Sequence, residues 1–93
     1  MKYYAAFLTM KDEEKSKQFR QEHLDYLAEM RNKQRILLFG RFTDGAGGLV
    51  IYQGKDFAEV EQWVKEDPYI KLGARGYEIH EWDMQTDYHI TEN

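Results

Sequence analysis

The sequence predicts a single α+β domain whose elements run in the order βαββαβ. Three observations carry this. Four short runs rich in aromatic and aliphatic residues, at 2–10, 35–43, 49–53 and 76–83, read as strands. Two stretches between them, 13–32 and 56–67, space their apolar residues as a helix does. The brief, glycine-rich DGAGG at 44–48 joins the second and third strands as a hairpin. With right-handed crossovers, this order gives a four-stranded antiparallel sheet with both helices on one face, the ferredoxin-like arrangement.

KYYAAFLTM (2–10) is the first strand, and Asp12 can cap the helix behind it. In that helix Phe19, Tyr26, Leu27 and Met30 fall on one stripe of 3.6-residue period, and His23 falls on it too. RILLFGRFT (35–43) and LVIYQ (49–53) are the second and third strands. Asp56 opens the second helix, with Glu59 at capping-box spacing. Phe57, Val60 and Val64 share one face of it, with Trp63 at the edge. Pro68 ends that helix, because the residue before a proline is pushed out of the helical region. PYIKLGAR (68–75) reads as a loop and GYEIHEWD (76–83) as the last strand. The domain spans 1–93, with its core at about 2–83 and a polar tail, MQTDYHITEN, at 84–93.

Composition excludes several classes. The chain is 42% hydrophobic, with seven Tyr, five Phe and two Trp, which is ample for a core and argues against disorder. It has no cysteine, so disulfides, thiolate metal sites and a Cys nucleophile are excluded. The net charge is −4 and the basic residues are scattered among acids, so no nucleic-acid partner is expected. No apolar run approaches the roughly 20 residues of a membrane span. The start, MKYYAAFLTM, is unlike a signal peptide, and a cytoplasmic protein is expected.

The strands add a second clue. Tyr3, Ala5 and Phe7 oppose Tyr4, Ala6 and Leu8; Ile36 and Leu38 oppose Leu37 and Phe39; Leu49 and Ile51 oppose Val50 and Tyr52. A sheet with one solvated face alternates apolar and polar residues. This one is apolar on both sides, and two helices cover only one. A second copy packed sheet to sheet is the expected cover, hence a homodimer.

Few residues carry chemistry. His23 stands on the core-facing stripe, where an imidazole suits general acid–base work. The bland alternative is a core histidine bonded to a backbone carbonyl. Asp67 closes the second helix, where a carboxylate opposes the helix dipole and asks for a compensating partner. Its bland alternative is an ordinary Asp-Pro helix stop. Side-by-side helices would allow the two to meet, and an Asp that orients an imidazole is a familiar arrangement. Arg41 interrupts an apolar strand and is a candidate for an anionic ligand, or only for an acidic neighbour. Tyr69 is a core aromatic or a pocket residue that donates a hydrogen bond. His80 and His89 have no ligand-like spacing with His23, so no metal is expected. DGAGG opens no helix and lacks the Gly-Lys-Ser/Thr of a phosphate cradle.

EHLDYLAEMRNKQRILLFGRF, the glycine-rich hairpin, and then DFAEVEQWVKEDPYIKLGARGYEIHEW together resemble the YCII-related (YciI-like) family. The motifs that carry the resemblance are His23-Leu24, Gly40 at the end of an apolar strand, Asp67-Pro68-Tyr69, Gly73 and Trp82. It covers roughly residues 3–83, and the order and spacing of short motifs give it its specificity. It implies a ferredoxin-like fold that dimerises into an α/β barrel. It also implies a pocket whose presumed active-site pair is carried here by His23 and Asp67. Members with an assigned reaction include a dehydrochlorinase acting on a chlorinated aromatic breakdown product. In one place the chain departs from the pattern: Arg41 follows Gly40 where the family usually has proline.

These readings converge on a small cofactor-free enzyme of lyase, isomerase or dehydrochlorinase type. His23 and Asp67 would be catalytic, and Arg41, Tyr69 and Gly40 would line a site for a small, anionic, cyclic or unsaturated substrate. The alternatives are a homodimeric ligand-binding or regulatory module without turnover, and a structural dimer in which His23 is a satisfied core residue.

Overall fold

A computed structural model describes residues 1–88. The elements are β1 (Lys2–Thr9), α1 (Glu13–Gln18), α2 (Arg20–Asn32), β2 (Ile36–Arg41), β3 (Gly47–Gly54), α3 (Phe57–Glu66), α4 (Pro68–Lys71) and β4 (Glu78–Glu81). The strands form one antiparallel sheet in the order β2-β3-β1-β4. The fold is α+β and ferredoxin-like, as the sequence predicts. Among the described residues, no helix is long and apolar enough to cross a membrane. Residues 89–93 of the tail, His89 included, lie outside the described residues.

The alternation of β1 decides where the core sits. Tyr4, Ala6 and Leu8 are buried under the helices, against Leu27 and Met30 of α2 and Val60 and Val64 of α3. Tyr3, Ala5 and Phe7 take the outer face and are only half-buried. Val50 and Tyr52 continue the inner face on β3, in register with Ala6 and Tyr4. The helices lie close enough for the Tyr26 hydroxyl to donate to the Trp63 carbonyl at 2.6 Å.

Several local expectations need correction. The single helix expected over 13–32 is two helices, with Phe19 between them at φ −102° and ψ 13°. Asp12 caps the first, its carboxylate accepting from Lys15 N–H at 3.0 Å. The Ser16 hydroxyl then donates back to the Asp12 carbonyl at 2.9 Å, a bond that competes with the helical ladder and bends helices. In β2, Ile36 pairs with Tyr52 and Leu38 with Ile51, so Leu37 is an extra residue, a β-bulge. The bulge separates Ile36 and Leu38, expected on one side: Ile36 is 2% exposed under the helices and Leu38 is 55% exposed on the outer face. Phe39 accordingly turns inward, under the Arg31 guanidinium.

β3 starts at Gly47, inside the stretch expected to be turn. Gly47 has φ 135°, and a Cβ there would collide with the Leu8 carbonyl, so only glycine lets the strands approach. The expected loop at 68–75 contains the short helix α4, because Pro68 suits a first helical position. The last strand is shorter than 76–83, although Thr9 and Gly76 still exchange two backbone bonds of 3.0 Å. Val60 and Val64 are buried as expected, but Phe57 is 44% exposed and meets Tyr4 only edge-on. β4 also breaks the all-apolar pattern, since Glu78 and His80 pair with Phe7 and Ala5 and so share the outer face.

Candidate active site

The site begins with the backbone at the Asp-Pro step. Asp67 ends α3 because it takes φ −61° and ψ 128°, the extended conformation favoured before proline. The same residue is the N-cap of α4, and its Oδ1 accepts from Tyr69 N–H at 2.9 Å. That dual position turns the carboxylate inward, where it is wholly buried. The compensation that a carboxylate asks for at a helix C-terminus comes from this amide and from His23.

His23 sits on the buried side of α2 with Leu27 and Met30. Its Nδ1 lies 2.8 Å from Asp67 Oδ1 and 3.0 Å from Oδ2. An ionised carboxylate only accepts hydrogen bonds, so Nδ1 carries a proton, and in the neutral ring the lone pair is on Nε2. Nε2 has no hydrogen-bond partner among the described residues. One face of the ring is held by Tyr69, stacked with centroids 3.9 Å apart and planes 7° apart. Tyr69 is itself fixed: its hydroxyl donates to the Ser16 carbonyl at 2.7 Å, and the Arg75 guanidinium lies over its ring at 4.6 Å. Burial pushes the Tyr69 phenol above its ordinary pKa, so the hydroxyl stays a donor.

A cavity of about 240 Å³ opens beside this pair. Leu8, Leu24, Leu27, Phe39 and Val50 supply its apolar wall, and His23 and Tyr69 its aromatic one. Gly40 and Arg41 line it from β2, so every residue singled out from the sequence for the site borders the cavity except Asp67, which stands behind His23. Among the described residues, no three His, Cys, Asp or Glu side chains are grouped to hold a metal ion.

Among the lining residues not expected at the site from the sequence are Arg20, Gly48 and Arg75. Arg20 carried a readable signal, because it lies three residues before His23 on the same helical face. Arg75 carried none. It reaches the site through a 3.0 Å bond from its Nε to the Ser16 hydroxyl, a pairing between segments far apart in the chain.

The model of the YCII-related domain matches residues 1–83. The chain belongs to the YCII-related family. It is 25% identical to the uncharacterized protein YjpA of Bacillus subtilis (strain 168) over 83 residues, 89% of this chain and 98% of that one. Among solved structures it resembles the 5-chloro-2-hydroxyhydroquinone dehydrochlorinase TftG from Burkholderia phenoliruptrix AC1100, in complex with 2,5-dihydroxybenzoquinone. The TM-score is 0.76 at 19% identity, over 89% of this chain and 95% of that one. That likeness is one of fold.

Proposed function

We propose that this member of the YCII-related family is a small enzyme that works without a cofactor, with His23 as its base and Asp67 as the residue that orients it. The observation that carries the reading is the pair of contacts at 2.8 and 3.0 Å from a buried carboxylate to Nδ1, which leave the Nε2 lone pair of a cavity-lining ring unpartnered. In the proposed step Nε2 takes a proton from a small cyclic or unsaturated substrate. The imidazolium forms beside the Asp67 carboxylate, and the electron pair of the broken bond enters the substrate's conjugated frame. Return of that proton to another atom gives an isomerisation. Expulsion of a leaving group, such as the chloride removed by the dehydrochlorinase of like fold, gives an elimination. Tyr69, Gly40 and Arg41 would line the substrate site.

We also propose that the outer face of the sheet joins two copies. Leu38 is 55% exposed there, and Phe42, which meets Phe7 edge-on, is 37% exposed. Sedimentation at micromolar concentration reads this directly: two chains per particle supports it, and a monodisperse monomer defeats it.

The enzymatic reading is tested by incubating the protein in D₂O with small conjugated and cyclic carbonyl compounds, and with 5-chloro-2-hydroxyhydroquinone for chloride release. Proton exchange or elimination is expected, slower by roughly 10²–10⁴ in His23→Ala. Full activity in that variant removes the mechanism. Saturable binding of these compounds with no exchange and no product favours a binding module instead.

A further inference from the structure

The cavity has a charge that the mechanism above leaves unused. The protein carries a net charge of −4, yet among the described residues three guanidinium groups, Arg20, Arg41 and Arg75, line the cavity and no Asp or Glu does. The carboxylate nearest the chemistry, Asp67, is wholly buried and occupied by His23 and Tyr69 N–H. Among the described residues none of the three arginines has a carboxylate within ion-pair distance; the lysines take those partners instead, as in Lys2–Glu81, Lys33–Glu29 and Lys65–Glu61. Arg31 and Arg35 also lack a carboxylate among the described residues, but they lie over Phe39 and Trp63 and do not line the cavity.

Arg75 is the fixed member of the set. It is half-buried, its Nε is engaged by Ser16 Oγ, and its guanidinium plane is backed by Tyr69. Its Nη N–H groups have no acceptor among the described residues. Gly48 borders the cavity beside them, where a Cβ would stand in ordinary van der Waals contact with Nη1 at 3.9 Å. Burial lowers the Arg75 pKa, with the Asp67 charge pulling partly the other way, so the cation is incompletely compensated.

We propose that Arg75, with Arg41 and Arg20, forms an anion subsite of the same cavity, and that its ligand is a small planar carboxylate. The carboxylate lies against the Arg75 Nη groups and the ring or conjugated frame lies against the apolar wall beside His23. A guanidinium fork matches a carboxylate with two parallel hydrogen bonds. The volume agrees: a dry cavity of about 150 Å³ holds benzene, and about 240 Å³ suits one ring with a few substituents. The inference takes its substrate orientation from the acid–base reading, but its binding test does not require turnover.

Isothermal titration of the full chain with benzoate, benzamide and sulfate tests it. Benzoate should bind once per chain, about tenfold or more tighter than benzamide, which has the same shape without the charge. Arg75→Gln and Arg41→Gln should each weaken benzoate by about tenfold and leave benzamide unchanged. Arg41 is exposed at the end of its strand, so its variant reports even where Arg75→Gln misfolds. Benzamide binding as tightly as benzoate, or an Arg41→Gln variant that binds benzoate as the parent does, overturns the subsite. Sulfate binding as tightly as benzoate overturns the carboxylate class. His23→Ala separates the two proposals: it should lose proton exchange, while whatever benzoate binding it keeps should still fall about tenfold when Arg41→Gln is added. Benzoate binding that is lost in the arginine variants supports the anion subsite even if the acid–base reading fails.

Discussion

Two histidine–carboxylate pairs lie on opposite faces of the same sheet. On the outer face His80 Nε2 stands 3.2 Å from Glu78 Oε1, with side chains 68% and 59% exposed. Under the helices His23 Nδ1 stands 2.8 Å from Asp67 Oδ1, with side chains 11% and 0% exposed. Each pairs an imidazole with a carboxylate, and the distances differ by a few tenths of an ångström. What separates the pairs is what holds each member. Glu78 and His80 are next-nearest neighbours on one strand, in water, where an ion pair gains little and either side chain can rotate away. Asp67 is gripped by Tyr69 N–H, and the His23 ring is stacked on the Tyr69 ring. A catalytic base depends on this fixed geometry, because orientation is arranged before the reaction begins.

The sharpest way to break that contrast is to remove each carboxylate in turn. Asp67→Ala strands a buried imidazole N–H and the Tyr69 amide, and should destabilise the fold by about 2–4 kcal/mol. Glu78→Ala should change stability by less than about 0.5 kcal/mol. Urea midpoints of the two variants decide it, and equal shifts would mean that burial does not distinguish the pairs.

A smaller effect concerns a buried polar group that has no such grip. The Tyr52 hydroxyl is buried and has no hydrogen-bond partner among the described residues. Burial above all, then the Asp67 charge, raises its pKa. The unfolded chain therefore releases this proton first, near the ordinary value of about 10. The Tyr52 contribution is complete below about pH 10 and is lost as pH rises beyond it. Tyr52→Phe should leave neutral-pH stability nearly unchanged and make the alkaline decline shallower. A steep loss of stability at neutral pH in that variant would show that the hydroxyl is bonded after all.

Much of this was legible in the sequence because it rests on local rules. The apolar runs located the strands, Asp12 and Asp56 marked helix starts, and the Asp67-Pro68 step marked a stop that the backbone angles reproduce. The helical stripe that holds Leu27 and Met30 also placed His23 on the inner face. What was not legible depends on partners distant in the chain. The helix break at Phe19 accompanies a hydroxyl bonded backwards at Ser16. The bulge at Leu37 is a property of strand pairing, so simple alternation put Ile36 and Leu38 on one side. Arg75 closes the stretch that the sequence reads as a loop, and only the packing of that stretch on Ser16 and Tyr69 brings it to the cavity.

The central claim is that Asp67 fixes the tautomer of His23. Nitrogen-15 NMR of the imidazole rings at neutral pH tests it most directly. The account predicts that the neutral His23 ring holds its proton on Nδ1, as the contact of Nδ1 with the carboxylate requires, and so keeps its lone pair on Nε2, while the neutral His80 ring averages between tautomers. A His23 ring protonated on Nε2, or averaging as His80 does, would contradict it.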